Sequence, residues 1–527
     1  MKNKKTMSML MLAVWVAQLL AELLTFGIVW RLDMLPAKYL MIVAVLLGLM
    51  LLLTGAMLFS CGKKKRRKAT DARRITALIL AMLVVLGCAV MAKMVSKLHQ
   101  TMNSVTETHG ITTMMTVYVR ADDPAQEIGD AAGYTYAILS ELGADQTKAA
   151  VATLEQELNV TLSTSTYASM AMMADALYSG EVDAILMSSA YVDLLTEQDA
   201  YADFEVETRV LHELEIVQEV QTHNKPGSTD STLTTRPVVG SDKEVLLDGE
   251  EIEIGSVAST PFVIYLSGND TRSSKLTTSR SDVNILAVVN PETKQVLLVN
   301  TPRDYYVVHP YSSAGTRDKL THLGVYGIDC SIQGLENLYG ERIDFYGQVN
   351  FNGFKTLIDA IGGVTVYSDE AFYAGDGVYI DAGENYLDGT SALRFARERY
   401  NVSGGDNGRG KNQMKIIKAV IQKMASGAII TSYSDILSSM EGMFVTDMSM
   451  NDISRLVKMQ LNDMASWNVV SYAVTGYGDS STETYSSPGQ DLYVMVVDEG
   501  MVEFGANLID RVIAGDILTD ADTVYHG

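Results

Sequence analysis

The sequence predicts an α/β protein carried on three N-terminal transmembrane helices, with a small α/β accessory domain followed by a larger α/β domain. Three observations lead there. Apolar runs of about twenty residues, each the length of a bilayer span, open the chain. From about Thr113, helix-period and strand-like stretches alternate, the pattern of an α/β fold. That pattern breaks at THNKPGSTDSTLTTRP, Thr222 to Pro237, and restarts at PFVIYLSGND. At 527 residues the chain has room for two or three domains. The expected boundaries are 1–98 for the membrane region, 113–221 for the accessory domain, 222–256 for a linker and 257–515 for the second domain.

The expected spans are Met7–Trp30, Tyr39–Ser60 and Ile75–Val95. They are too many and too long for a cleaved signal peptide. KKKRRKATDARR, Lys63 to Arg74, separates the second and third, and MKNKK opens the chain; excess Lys and Arg marks both as cytoplasmic. RLDMLPAK, between the first two spans, is nearly neutral and suits an outer turn. The predicted topology is therefore a multi-pass cell-membrane protein with a cytoplasmic N-terminus and everything beyond about residue 98 outside. Glu22 lies within the first span and is either a functional group or paired with a neighbouring helix.

Charge divides along the same line. Residues 1–98 carry a net +12 in a chain of net −23, leaving −35 on the rest. So acidic a body repels a phosphodiester backbone, which argues against nucleic acid as a partner. Cys61, Cys88 and Cys330 offer no disulfide framework and no zinc spacing.

In the accessory domain, MTVYVRA reads as a strand and GYTYAILSELGADQTKAAVATLEQEL as a helix. A helix, a stop at Gly180, a strand over Val182–Met187 and another helix follow. In the second domain, Val283–Asn290 and Gln295–Pro302 flank the turn PETK and read as a hairpin. A symmetric loop sets Asn290 opposite Gln295 and Asp282 opposite Arg303. Arg280, two residues before Asp282, then shares its face, and Asp270 in SGNDTR folds back toward the same end. Two carboxylates without a nearby Cys or His suit a hard cation such as Mg2+; equally, they are acids paired with the arginines.

Arg397 and Arg399 point the same way only on an extended segment, so the helix LDGTSALRFA should end near Ala396. Asp406, after Gly404 and Gly405, can cap the next helix. That helix would carry Asp406, Arg409 and Gln413 on one face and Met414, Ile417, Ile421 and Met424 on an apolar one. Arginine forks match phosphate oxygens, so this gathering of guanidinium groups fits a diphosphate with a divalent metal. No Walker A motif is present to imply a nucleotide.

NTPRDYYV, DFYGQVNFNGFKTLIDAIGGVTV, LDGTSALRFARERYNVSGGDNGRGKNQ and SRSD resemble the LytR-CpsA-Psr (LCP) family of Gram-positive cell-wall proteins, over about Pro261 to Trp467. Three spans and an accessory domain look most like its capsule-associated CpsA type. The resemblance implies an α/β catalytic domain with a central mixed sheet flanked by helices. It also implies a phosphotransferase that moves a capsular polysaccharide or wall teichoic acid from undecaprenyl pyrophosphate to a peptidoglycan hydroxyl. By motif, it assigns the diphosphate grip to Arg280, Arg303, Arg397, Arg399 and Arg409, with Gln413 beside them, and Mg2+ or Mn2+ to Asp270 and Asp282. Asp406 either accepts the acceptor hydroxyl's proton or orients Arg399 and Arg409. The family's lipid tail lies in an apolar tunnel; Phe351, Phe354, Leu357, Ile358 and Ile361 are either its lining here or ordinary core.

Overall fold

Three long helices lead into a five-stranded and a six-stranded β-sheet in the computed structural model. The structure describes residues 2–31, 33–59, 67–106, 111–140, 142–218, 238–240, 246–247, 250–251, 254–271, 276–375, 377–426, 436, 439 and 442–526. Helices α1 (Lys2–Arg31), α2 (Ala37–Phe59) and α3 (Arg67–Thr106) each contain a stretch long and apolar enough to cross a membrane. Those stretches, Met9–Arg31, Ala37–Phe59 and Ala72–Lys97, differ from the expected spans by a few residues. Part of the basic loop, 63–66, and most of the 222–256 stretch lie outside the described residues. Glu22 is bonded within its own helix, by Gln18 at 2.7 Å; Thr54 of α2 in turn donates to Gln18 at 2.9 Å. The neighbouring helix is thus linked to the acid through Gln18.

The first sheet holds β1 (Ile111–Arg120), β2 (Thr135–Leu139), β3 (Ser163–Tyr167), β4 (Ala184–Ser188) and β5 (Thr208–Gln218), in the order β3-β2-β4-β1-β5. Helices α4 (Ala144–Leu158), α5 (Met170–Ser179) and α6 (Ala190–Thr196) pack against it. The expected long helix from Gly133 is corrected: its first part, TYAIL, is strand β2, and α4 starts only after Gly143, whose φ of +61° breaks the chain direction. Short apolar runs fit either period, and here burial in the sheet, with Tyr136 and Ala137 fully covered, decides for strand. Gly180 does stop α5, in the left-handed conformation glycine adopts without strain.

The second sheet is mixed, in the order β10-β9-β6-β7-β8-β11. Its strands are β6 (Phe262–Asn269), β7 (Ser281–Asn290), β8 (Gln295–Asn300), β9 (Phe345–Asn350), β10 (Phe444–Thr446) and β11 (Asn468–Ala473). β9 runs parallel to β6 and β11 parallel to β8, while the other neighbours are antiparallel. The expected hairpin register holds, with Asn290 facing Gln295. The Asn290 side chain fixes that turn by accepting from the backbone N–H groups of Glu292 and Thr293.

Alternation along β7 sends Leu286 and Val288 to one face and Ile285 and Ala287 to the other. The first face packs on α7 (Ile328–Tyr339) and α12 (Glu499–Ile513), through residues such as Leu335, Leu508 and Ile509. The second takes Met414, Ile417 and Ile421 of α10 (Asp406–Met424). A smaller core joins α8 (Phe351–Ala360), α9 (Gly389–Arg397) and α10 around Ile358, Phe395 and Ile416. Helix α11 (Met450–Asp463) lies beside the membrane helices, where Lys458 pairs with Asp33 at 2.6 Å and Asn462 O accepts from Lys38 Nζ at 2.5 Å.

Candidate functional site

A β-bulge builds one wall of the site. Between β6 and β7 the register slips: Gly268 faces Val283 but Asn269 faces Ser281, which leaves Asp282 as the extra residue. Gly268 permits this approach, since a Cβ there would lie 2.6 Å from Val283 Cγ2. Freed from the ladder, Asp282 accepts from Arg303 Nη1 at 2.6 Å. Arg280, just before β7, donates from Nη2 to Asp270 at 3.2 Å. The predicted meeting of these four residues is thus observed, as two ion pairs on one cavity wall.

Helices α9 and α10 supply the opposite wall. Asp388 caps α9 by accepting from the Ser391 backbone N–H. Arg397 is the last residue of α9 rather than the first of an extended stretch, one position beyond the expected end, and Glu398 is the extended cap. Its guanidinium stacks over Phe351 at 4.3 Å, while Arg399 lies over Tyr400 at 4.8 Å. Both line the cavity despite the change of conformation between them. The capping expectation for Asp406 is corrected: Gly405 is the cap residue, and Asp406 stands first in α10, where its carboxylate pairs with Arg409 Nη2 at 2.7 Å. Arg409 and Gln413 reach the cavity, and Gln413 also donates to the Ala396 carbonyl at 3.2 Å. Lys411, two residues after Arg409, is exposed and not part of the cavity lining.

The cavity measures about 2130 Å3. Arg280, Arg303, Arg397, Arg399 and Arg409 sit along its polar part. Beyond them the lining turns apolar, with Phe354, Leu357, Ile417 and Ile421, then Leu47, Met50 and Met91 of the membrane helices. Two of the five expected tunnel residues are corrected. Ile358, on α8, and Ile361, the residue capping its C-terminus, face the core between α8, α9 and α10. Phe351, Phe354 and Leu357 line it.

Several site residues escaped the sequence reading. Lys319, buried, lies 4.0 Å from Asp304, which also faces Arg303 Nε at 3.7 Å. Glu197, immediately after α6 of the first sheet's unit, meets Arg280 at 2.9 Å, Lys319 at 3.0 Å and His322 at 3.4 Å. Asp193 of α6 adds a contact of 3.6 Å to Arg280. The one available signal was the charge in RDKLTH, whose polar residues a core strand would not carry. Nothing in the sequence pointed from Glu197 to a residue 83 positions away.

Burial works to raise the Glu197 carboxyl, but His322 and Lys319 overcome it and hold the group well below the usual carboxylate range. Burial likewise opposes the charge on His322, yet Asp318 at 2.8 Å, with Glu197, moves its pKa up. Burial raises the Asp406 carboxyl, with Arg409 pulling the other way. His309, buried beside Tyr485, is pushed down to about 4 by desolvation and stays neutral.

Among the described residues no cluster of three or more His, Cys, Asp or Glu side chains is arranged to hold a metal ion. Asp270 and Asp282 each give one oxygen to an arginine and keep the other outside that pair. This donor set fits a hard cation that takes its remaining ligands from water and a bound phosphate, the habit of Mg2+.

Fold and site together define an α/β unit with an arginine-lined cavity, joined to membrane-capable helices. The family model described as LytR_cpsA_psr matches residues 229–499, and the chain belongs to that family. Among curated relatives, a protein of Enterococcus faecalis named polyisoprenyl-teichoic acid–peptidoglycan teichoic acid transferase TagU is 35% identical over 198 residues, 37% of this chain and 64% of that one. The Oceanobacillus iheyensis protein of the same name is 36% identical over 224 residues, 41% of this chain and 68% of that one. The chain thus spans about two thirds of these relatives' length. The crystal structure of B. subtilis TagV matches at 24% identity and a TM-score of 0.41, covering 49% of this chain and 99% of that one.

Proposed function

We propose that this chain transfers a glycopolymer, of the wall teichoic acid or capsular type, from an undecaprenyl pyrophosphate carrier to a peptidoglycan hydroxyl. The observation that carries this reading is the single cavity, with five guanidinium groups along one part and the apolar faces of three membrane-capable helices along the other. A diphosphate on a polyprenyl chain has the same two-part chemistry. The names of the relatives, which act on polyisoprenyl-linked teichoic acid and peptidoglycan, support it.

In this reading Arg280, Arg303, Arg397, Arg399 and Arg409 grip the diphosphate oxygens and neutralise charge as it shifts to the leaving phosphate. Asp270 and Asp282 would hold Mg2+ or Mn2+, which would supply further neutralisation of the diphosphate's charge. Phe351, Phe354 and Leu357 guide the first isoprene units, and Gln413 braces α10 against α9. The acceptor oxygen forms a bond to the sugar-bearing phosphorus, the bond to the carrier phosphate breaks, and the hydroxyl proton is released. Undecaprenyl phosphate leaves, and the polymer stays on the wall through a phosphodiester. Asp406 acts by orienting Arg409. The site faces the outside of the cell, with the N-terminus cytoplasmic, as the charge pattern of the membrane region requires.

The test is transfer by the purified chain from a polyprenyl-diphosphate-linked oligosaccharide to peptidoglycan, read by mass spectrometry of the digested wall. A wall adduct that disappears with Arg397→Ala supports the proposal. Free sugar phosphate without an adduct would make the protein a lipid pyrophosphate hydrolase. Donor binding without any product would make it a polyprenyl-phosphate-binding regulator.

A further inference from the structure

The cationic site contains an anion that the family's own region does not supply. The family match begins at residue 229, whereas Glu197 and Asp193 belong to the five-stranded unit before it. Glu197 nonetheless sits among the site's cations, with only 19% of its side chain exposed. One carboxylate oxygen takes Arg280 Nη1 at 2.9 Å; the other takes Lys319 Nζ at 3.0 Å and faces His322 Nε2 at 3.4 Å. Arg280 and Lys319 are themselves largely covered, at 18% and 7% side-chain exposure. A carboxylate held by several buried cations occupies the role a phosphate oxygen would take. Asp193, at 3.6 Å from Arg280 Nε, adds to the same negative field.

Each of these cations also has an acid of the second unit beside it. Arg280 has Asp270 at 3.2 Å, Lys319 has Asp304 at 4.0 Å and His322 has Asp318 at 2.8 Å. Glu197 is therefore not needed to leave any of them with a counter-charge. Its negative charge is surplus to the second unit, and it holds Arg280, a guanidinium that lines the cavity. Charges this close and this poorly solvated interact far more strongly than they would on the surface.

We propose that Glu197 is an internal competitor for the substrate's diphosphate: it draws on the Arg280 guanidinium, which lines the cavity, and the donor's phosphate oxygens must compete with it for that cation. The five-stranded unit thereby sets how tightly this chain holds its carrier, weakening binding below what the family's site alone would give. This inference rests on the diphosphate reading above.

The experiment uses the full-length chain in detergent and the isosteric variant Glu197→Gln, with inorganic pyrophosphate as the probe and calorimetry as the readout. Glu157→Gln, a change in the same unit at a residue paired with His212, controls for net charge alone. The expected result is a dissociation constant at least about fivefold lower for Glu197→Gln than for wild type, with Glu157→Gln unchanged. An unchanged or higher constant for Glu197→Gln overturns the proposal, as does equal tightening by Glu157→Gln or absence of binding to all three proteins. Thermal melting of each variant checks the fold; if Glu197→Gln does not fold, Glu197→Asp, which shortens the reach, must show the same direction of change. Transfer from the lipid-linked donor is measured alongside. Wild-type transfer with an unchanged Glu197→Gln constant sinks this inference alone. Tighter pyrophosphate binding without wild-type transfer sinks the transferase reading alone.

Discussion

Arg397 reaches the cavity from the last turn of α9, with its guanidinium plane over the Phe351 ring at 4.3 Å. Stacking of this kind restricts a long side chain and leaves its N–H edges free for an anion. Arg397→Lys keeps the charge but loses both the plane and the fork, so it should not rescue. Transfer by Arg397→Ala and Arg397→Lys is expected to fall by at least about a hundredfold, the scale of losing one preorganised charge-stabilising donor, with thermal melting nearly unchanged. The ion cluster around Glu197 and His322, beside Arg280, predicts a pH profile of stability. Glu197 is held below its ordinary 4.5, so its contribution is complete above that value and is lost as pH falls through the depressed pKa. His322 is raised above 6.5, so its contribution is complete below that value and is lost as pH rises through the raised pKa. Melting temperature should accordingly peak between about 4.5 and 6.5 as far as this cluster governs it. Glu197→Gln should flatten the acid limb and His322→Gln the alkaline one; parallel shifts of the whole curve would refute the linkage.

At the scale of elements, what the sequence disclosed followed from periodicity and turn chemistry. The β7–β8 hairpin, its register, the apolar face of α10 and the near-end of α9 were all legible, because each depends on a few consecutive residues. The bulge at Asp282 was not: it arises from Gly268 letting Val283 close in, a contact between strands that no local pattern encodes. Gly268→Ala should force those strands apart, misplace Asp282 and cost about 1–3 kcal/mol, the usual penalty of overpacking. Denaturant unfolding measures the stability loss, and pyrophosphate affinity measures the displaced carboxylate. Helix α8 divides similarly. The sequence left both Ile358 and Leu357 open between tunnel lining and ordinary core, and only the assembled layers reveal that Ile358 is fully buried between helices while Leu357 borders the cavity. Ile358→Ala should cost about 2–5 kcal/mol as a core truncation. Leu357→Trp should leave stability nearly intact and obstruct the carrier, seen as a raised KM for the lipid donor.

Across the whole molecule, the membrane helices do more than tether the second unit. Asp33, from the short turn between α1 and α2, and Lys38, in the first turn of α2, reach Lys458 and Asn462 of α11. Surface pairs like these contribute little stability singly, yet they join the helices to the unit beside which the apolar cavity opens. The sequence announced the spans by length and composition but could not announce that these helices share a cavity with the arginines, since that depends on docking between distant segments. One consequence concerns the length of the carrier. A short polyprenyl chain would end among Phe354, Leu357 and Ile417, whereas a full-length one must continue along Leu47, Met50 and Met91. Filling that outer stretch with Leu47→Trp or Met91→Trp should therefore discriminate by chain length. In lipid nanodiscs, kcat/KM for a full-length polyprenyl donor should fall at least about tenfold, equivalent to about 1.4 kcal/mol of lost binding, while a short-chain donor should be affected less than about twofold. Equal effects on both donors would mean that the carrier leaves the cavity before reaching the helices, and that the spans serve as an anchor alone.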